Sequence, residues 1–261
     1  MFTKRYNEIV EKKRSLLCVG LDPAYEGSRK EKVIPARNTP SEDILDFCLD
    51  MVQKTGRYAS AYKPNLHYIL PLSLDDMREL TDAVHAQGAL CILDEKLSDI
   101  GSTNMSSCFW ASEAGFDAIT ASPFPGVTES LWNQCNSLGL GCFLLCLMSN
   151  PEAPTYMKAK IGDMPAYESI ASDVERLGIT GTVIGATVPE EDRRILAEVL
   201  TSSLVLVPGI GAQAGSLDIL DDFGKRCIVN VSRAILFAED PSEKAKEYCE
   251  LIRKKCFAHG L

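Results

Sequence analysis

Residues 90–103 read LCILDEKLSDIGST and place four charges, Asp94, Glu95, Lys96 and Asp99, within six positions after the apolar run Leu90–Leu93. An apolar run stopped by charge reads as a buried strand with polar groups at its C-terminal end. Side chains alternate along a strand, so Asp94 and Lys96 point one way and Glu95 the other, while Asp99 lies beyond, on the connection. A lysine flanked by carboxylates is held in its charged form. Such a group offers electrostatic stabilisation and a deliverable proton, and not the neutral amine that Schiff-base chemistry requires. An isolated Asp-x-Lys is more often a surface ion pair. The surroundings must therefore decide.

A second chemistry is signalled further along. The glycine-rich stretch PGIGAQAG (208–215) and the segment NVSRAI (230–235) follow successive apolar runs. Loops of this kind bind phosphate through backbone N–H groups. Gln213 adds an amide donor and Arg233 a bidentate charged one. The plainer reading makes the glycines turn residues and Arg233 a solvated charge. The two stretches at consecutive strand ends favour phosphate.

The elements that must position these groups recur at regular intervals. Strands are read at 15–21, 59–64, 90–96, 117–122, 141–147, 181–186, 203–209 and 227–232, each apolar and rich in β-formers. Helical patterns lie between them, at 42–55, 74–87, 103–114, 165–176 and 189–200, with a last one at 241–256. Eight strands alternating with helices predict an α/β fold, a (β/α)8 barrel forming one domain over 1–261. An open doubly wound sheet is the alternative, but no G-x-G-x-x-G follows the first strand. Segments 22–41 and 148–163 are polar and Pro-containing, and read as loops over one face. In a barrel, Asp22, Lys63, Asp94, Lys96, Ser149, Gln213 and Arg233 all fall at the C-terminal rim, where barrel enzymes assemble their sites.

Bulk composition narrows the classes. A chain of 261 residues with 46% hydrophobic content can bury a large core, and a net charge of −9 argues against nucleic-acid or anionic-membrane binding. No apolar stretch approaches a membrane span. Ten cysteines without a C-x-x-C pair, several of them inside apolar runs, suit a reducing compartment, which makes cytoplasmic residence the expectation. Three histidines without ligand spacing argue against zinc. The opening MFTKRYNEIVEKKRS is an amphipathic helix pattern, not a signal peptide.

Taken together, GLDP (20–23), YKPN (62–65), DEKLSDIGST (94–103), MSNP (148–151), VPGIGAQAG (207–215) and NVSRAI (230–235) resemble the orotidine 5′-phosphate decarboxylase family, in order across nearly the whole chain. The likeness is to the longer subgroup, which also occurs fused to orotate phosphoribosyltransferase. It implies conversion of orotidine 5′-monophosphate to UMP and CO2 without metal or organic cofactor. By the same resemblance, Lys63, Asp94, Lys96 and Asp99 form an alternating charged network. Asp22 and Lys63 hold ribose hydroxyls, Ser149 bonds the pyrimidine, and Gln213 and Arg233 grip the phosphate beside Pro208. Asp99 and Thr103 reach the neighbouring subunit's site, which implies a homodimer.

There are departures. The family usually has a small or apolar residue where Glu95 stands, and often Arg-Gly where Leu97 and Ser98 stand. Glu95 points away from the barrel mouth and is expected to need an external partner such as a lysine or arginine. Rival readings are the Mg²⁺-dependent sugar-phosphate decarboxylases and synthases of the same superfamily, and a nucleotide-binding barrel without turnover. The YKPN and MSNP stretches weigh against the first, and the intact charged network against the second.

Overall fold

The alternation of apolar runs and helical patterns becomes a closed parallel barrel in the computed structural model, which describes residues 2–126, 128–211 and 217–257. The chain opens with α1 (Phe2–Lys13), β1 (Leu17–Leu21), α2 (Pro40–Thr55), β2 (Ala61–Pro64), α3 (Leu66–Ile69) and α4 (Leu74–Ala86). It continues through β3 (Leu90–Leu97), α5 (Gly101–Glu113), β4 (Ala118–Ala121), α6 (Thr128–Ser137) and β5 (Gly141–Leu147). A small excursion follows, made of α7 (Pro154–Met157) and the antiparallel pair β6 (Lys160–Ile161) and β7 (Met164–Pro165). The chain then runs through α8 (Ala166–Leu177), β8 (Gly181–Ile184), α9 (Glu190–Val199), β9 (Leu204–Val207), α10 (Ile219–Phe223), β10 (Cys227–Val231), α11 (Arg233–Leu236) and α12 (Pro241–Cys256). Around the barrel the order is β1-β10-β9-β8-β5-β4-β3-β2, with every neighbouring pair parallel.

The strands read as near-continuous apolar runs because packed side chains cover both of their faces. β1, β2, β4, β8, β9 and β10 are buried at every position. Helix starts follow local chemistry. Thr39 and Glu42 form a reciprocal cap on α2, Ser73 and Asp76 do the same on α4, and Asp240 caps α12 ahead of Pro241.

One end of the barrel is closed by α1. The Tyr6 hydroxyl donates to the carbonyl of Cys227 at 2.8 Å, and the Phe2 ring meets Phe143 edge-on at 5.4 Å between centroids. Asp117 ties the same end together, accepting from the Arg5 guanidinium at 2.6 Å and the Cys91 amide at 2.8 Å, with His85 Nε2 at 2.9 Å. Asp22, Lys63, Asp94, Lys96 and Arg233 gather away from this end, around one cavity at the other rim.

Candidate active site

At its C-terminal end, β3 leaves the regular ladder. Leu93 pairs with Ile119 and Leu97 with Ala121, so Asp94, Glu95 and Lys96 stand opposite Thr120 alone. The extra residues form a bulge, a device that re-aims side chains at sheet rims. Lys96 takes a positive φ of 56° within it, a conformation that a residue with a Cβ seldom adopts. The bulge puts both charged side chains of the D-x-K unit on the barrel mouth and Glu95 on the helix side.

Beside it, Lys63 stands one residue before the end of β2 and is buried at 5% exposure. Its ammonium donates to Asp94 Oδ2, while Lys96 Nζ donates to Asp94 Oδ1 at 2.6 Å. The Thr120 hydroxyl donates to the same Oδ1 at 3.0 Å. Burial works against the Asp94 carboxylate, but the two lysines outweigh it and hold its carboxyl well below the usual range. For Lys63, burial opposes the charge and the carboxylates of Asp94 and Asp22 outweigh it, so its pKa is raised. Within one chain the network is thus Lys63–Asp94–Lys96.

These groups line a cavity of about 220 Å³ together with Asp22, Asn65, Pro208, Gly209, Asn230, Ser232 and Arg233. Its charged lining is three cations (Lys63, Lys96, Arg233) against two carboxylates (Asp22, Asp94). The local balance is positive inside a chain of net charge −9, which suits an anionic ligand. Ser232 donates its hydroxyl to Asp22 Oδ2, and Asp22 Oδ1 is buried with no partner among the described residues. That oxygen is an acceptor in place for a ligand hydroxyl. Gly20 lets this wall close, since a Cβ there would come within 2.9 Å of Asn230 Oδ1 and Ser232 Cβ.

Other candidates stand elsewhere. Ser149 does not line this cavity; its neighbour Met148 does, and Ser149 sits in a smaller one of about 110 Å³ with Asn150 and Thr187. Met148 is held by its N–H donating to the Met157 thioether at 3.2 Å. A Cβ on Gly185 would sit 2.6 Å from Ser149 Cβ and Oγ, so glycine there leaves the space Ser149 occupies. Asp99 and Thr103 are exposed and lie outside the cavity. The Asp99 carboxylate accepts from the Ile100 amide at 2.7 Å, and its carbonyl from Asn104 Nδ2 at 2.7 Å. Gln213 lies outside the described residues.

Among the described residues no cation pairs with Glu95: Ser107 Oγ on α5 donates to its Oε1 at 2.5 Å, and its Oε2 is buried with no partner among them. Glu95 borders a cavity otherwise walled by apolar side chains such as Leu66, Leu74, Met77 and Trp110. Burial raises its pKa and the Ser107 hydrogen bond offsets only part of the rise.

Sequence reasoning did not single out Thr120, and it quoted Asn65, Asn230 and Ser232 only as parts of motifs. For Thr120 and Asn230 the available signal was a lone polar residue inside an apolar strand run.

Comparison with known proteins gives a consistent picture. Residues 15–248 match the family described as orotidine 5′-phosphate decarboxylase / HUMPS. A curated relative from Delftia acidovorans, an orotidine 5′-phosphate decarboxylase, is 35% identical over 248 residues, covering 89% of this chain and 88% of its own. The solved Leishmania donovani OMP decarboxylase is 30% identical with a TM-score of 0.80, over 97% of this chain and 98% of that one. Leishmania donovani UMP synthase is 33% identical with a TM-score of 0.84 over 100% of this chain, which spans 57% of the synthase chain.

Proposed function

We propose that this chain, which belongs to the orotidine 5′-phosphate decarboxylase / HUMPS family, converts orotidine 5′-monophosphate to UMP and CO2 in pyrimidine biosynthesis. The observation that carries the mechanism is the Asp94 carboxylate shared by two lysines in a rim cavity of positive balance. When the C6–carboxylate bond breaks, its electron pair stays in the ring plane at C6, where the π-system cannot delocalise it. The site must stabilise that pair by charge already in place. Lys96 supplies the charge, and its ammonium proton passes to C6, leaving a neutral amine that solvent reprotonates. Asp94 fixes the ammonium and faces the substrate carboxylate, a repulsion relieved as neutral CO2 departs.

The rest of the cavity binds the nucleotide. Asp22 Oδ1 and Lys63 take ribose hydroxyls, Ser149 reaches the pyrimidine once the 148–165 connection closes, and Arg233 and Gln213 hold the phosphate beside Pro208. Binding energy at that remote phosphate drives closure and lowers the barrier at C6. Asp99 and Thr103 serve the neighbouring subunit of a homodimer. Supporting this, Ile100, Met105, Phe109 and Trp110 expose large apolar surface on the same stretch, of the kind that marks a protein interface. Association with an orotate phosphoribosyltransferase partner is supported by the UMP synthase likeness. Ten free thiols, nine of them buried, suit the reducing cytosol.

The test is the loss of orotidine 5′-monophosphate absorbance with purified chain, with and without EDTA. Turnover unaffected by chelator supports the reading. Turnover abolished by EDTA and restored by Mg²⁺ supports a metal-dependent member of the same family instead.

A further inference from the structure

The geometry points to Thr120 as a positioning residue that locks Asp94 and Lys96 into one unit, an inference that rests on the decarboxylase reading of this site. The β3 bulge removes the Lys96 amide from the β3–β4 ladder, because Asp94, Glu95 and Lys96 all stand opposite Thr120. A buried N–H without a partner is costly. The Lys96 amide finds one in a side chain, donating to Thr120 Oγ1 at 2.9 Å. A hydroxyl has one proton to give. While one lone pair accepts from the Lys96 amide, Thr120 gives that proton to the acceptor-only Asp94 carboxylate, at Oδ1 3.0 Å away, the oxygen that also accepts from Lys96 Nζ at 2.6 Å.

Thr120 therefore holds Lys96 twice, once by its backbone and once through the carboxylate that orients its ammonium. The Lys96 backbone is left-handed at φ 56°, a state that persists only where surrounding contacts impose it. Thr120 is 1% exposed, so its hydroxyl is largely shielded from bulk water. When Lys96 gives up its proton, the amine becomes a weaker donor to Asp94, and the Thr120 hydroxyl keeps that oxygen in place. Only a short hydroxyl-bearing side chain does both jobs from this position, and valine, similar in shape, does neither.

The test compares wild type, Thr120→Val and Thr120→Ser. Losing a hydrogen bond to a charged group corresponds to roughly a tenfold to hundredfold effect, so T120V is expected to lower kcat by that factor. KM and UMP affinity should stay within about threefold, because binding groups elsewhere are untouched. T120S, which keeps the hydroxyl, should recover kcat to within about threefold of wild type. Amide hydrogen exchange at Lys96, read without substrate, should be protected in wild type and T120S and fast in T120V. T120V with wild-type kcat overturns the proposal, as does T120S losing as much as T120V, or unchanged Lys96 exchange in folded T120V. A wild-type chain that does not decarboxylate overturns the functional reading instead, while the exchange data still report on the Thr120–Lys96 bond.

Discussion

Replacing Lys63 by methionine and Asp94 by asparagine, singly and together, measures how strongly the two depend on each other. Lys63 is 5% exposed and donates to Asp94 Oδ2. Removing one member of a buried ion pair costs about 3 kcal/mol or more, since the other is left uncompensated. K63M should lose about 3 kcal/mol of unfolding free energy, the low end of that range, because Asp94 keeps Lys96 and Thr120 as partners. D94N should lose about 4 kcal/mol, because it also removes the partner of Lys96, whose side chain is 37% exposed and contributes at most about 1 kcal/mol. In the double variant neither buried charge is stranded. Its loss should be nearer 4 than the additive 7, a coupling of about 3 kcal/mol. The pH dependence follows the same pair. The Asp94 pKa is depressed in the folded state, so its stabilisation is complete above the ordinary carboxyl value of about 3.9 and fades as pH falls toward the folded value. Lys63 is the larger of the two lysine contributions, so K63M raises the folded value and moves the acid loss to higher pH. Urea unfolding of the four proteins at neutral pH and along an acid series measures both. A coupling below about 1 kcal/mol would mean that Lys63 and Asp94 do not form the pair described.

Arg233→Ala should reduce kcat/KM by several kcal/mol equivalent, and added phosphite should recover part of the rate on a substrate lacking its phosphate. No response to phosphite would reduce the phosphate to a tether. Lys96→Ala and Asp99→Ala homodimers should each be nearly inactive, yet subunit exchange between them should restore up to roughly a quarter of wild-type activity, because a heterodimer gathers both lesions in one site. No recovery after confirmed exchange would place Asp99 in its own chain's site. Away from the site, Glu175 accepts from Thr201, Ser202 and Ser203, contacts that outweigh burial and hold its pKa at about 2. Glu175→Gln should cost about 1 kcal/mol at neutral pH, with the difference from wild type vanishing between about pH 4.5 and 2; a deficit that persists at pH 2 would point to packing instead.

Strands and rim charges were legible in the sequence because buried parallel strands leave continuous apolar runs and barrel sites gather at their ends. α6 was less so: only Leu131 and Cys135 are buried along it, too few to leave a helical stripe. Alternation showed where Glu95 points but not what waits there, and the partner is a serine twelve residues on, with no charge to mark it. Thr120 looked like an ordinary β-former, and its importance comes from a bulge that no period-two pattern announces. Ser149 was correctly placed past β5, but one residue decides which side chain faces the cavity, and Met148 does.

The central claim is that the Lys96 ammonium stabilises the C6 carbanion and protonates it. Turnover of orotidine 5′-monophosphate in D2O by wild type and Lys96→Ala tests it directly. Wild type should release one CO2 per UMP, with deuterium at C6 of the product. Lys96→Ala should lose roughly ten-thousandfold in kcat while binding UMP within about tenfold of wild type, since the lost group acts on charge that develops only during reaction. Turnover in Lys96→Ala within tenfold of wild type would contradict the account.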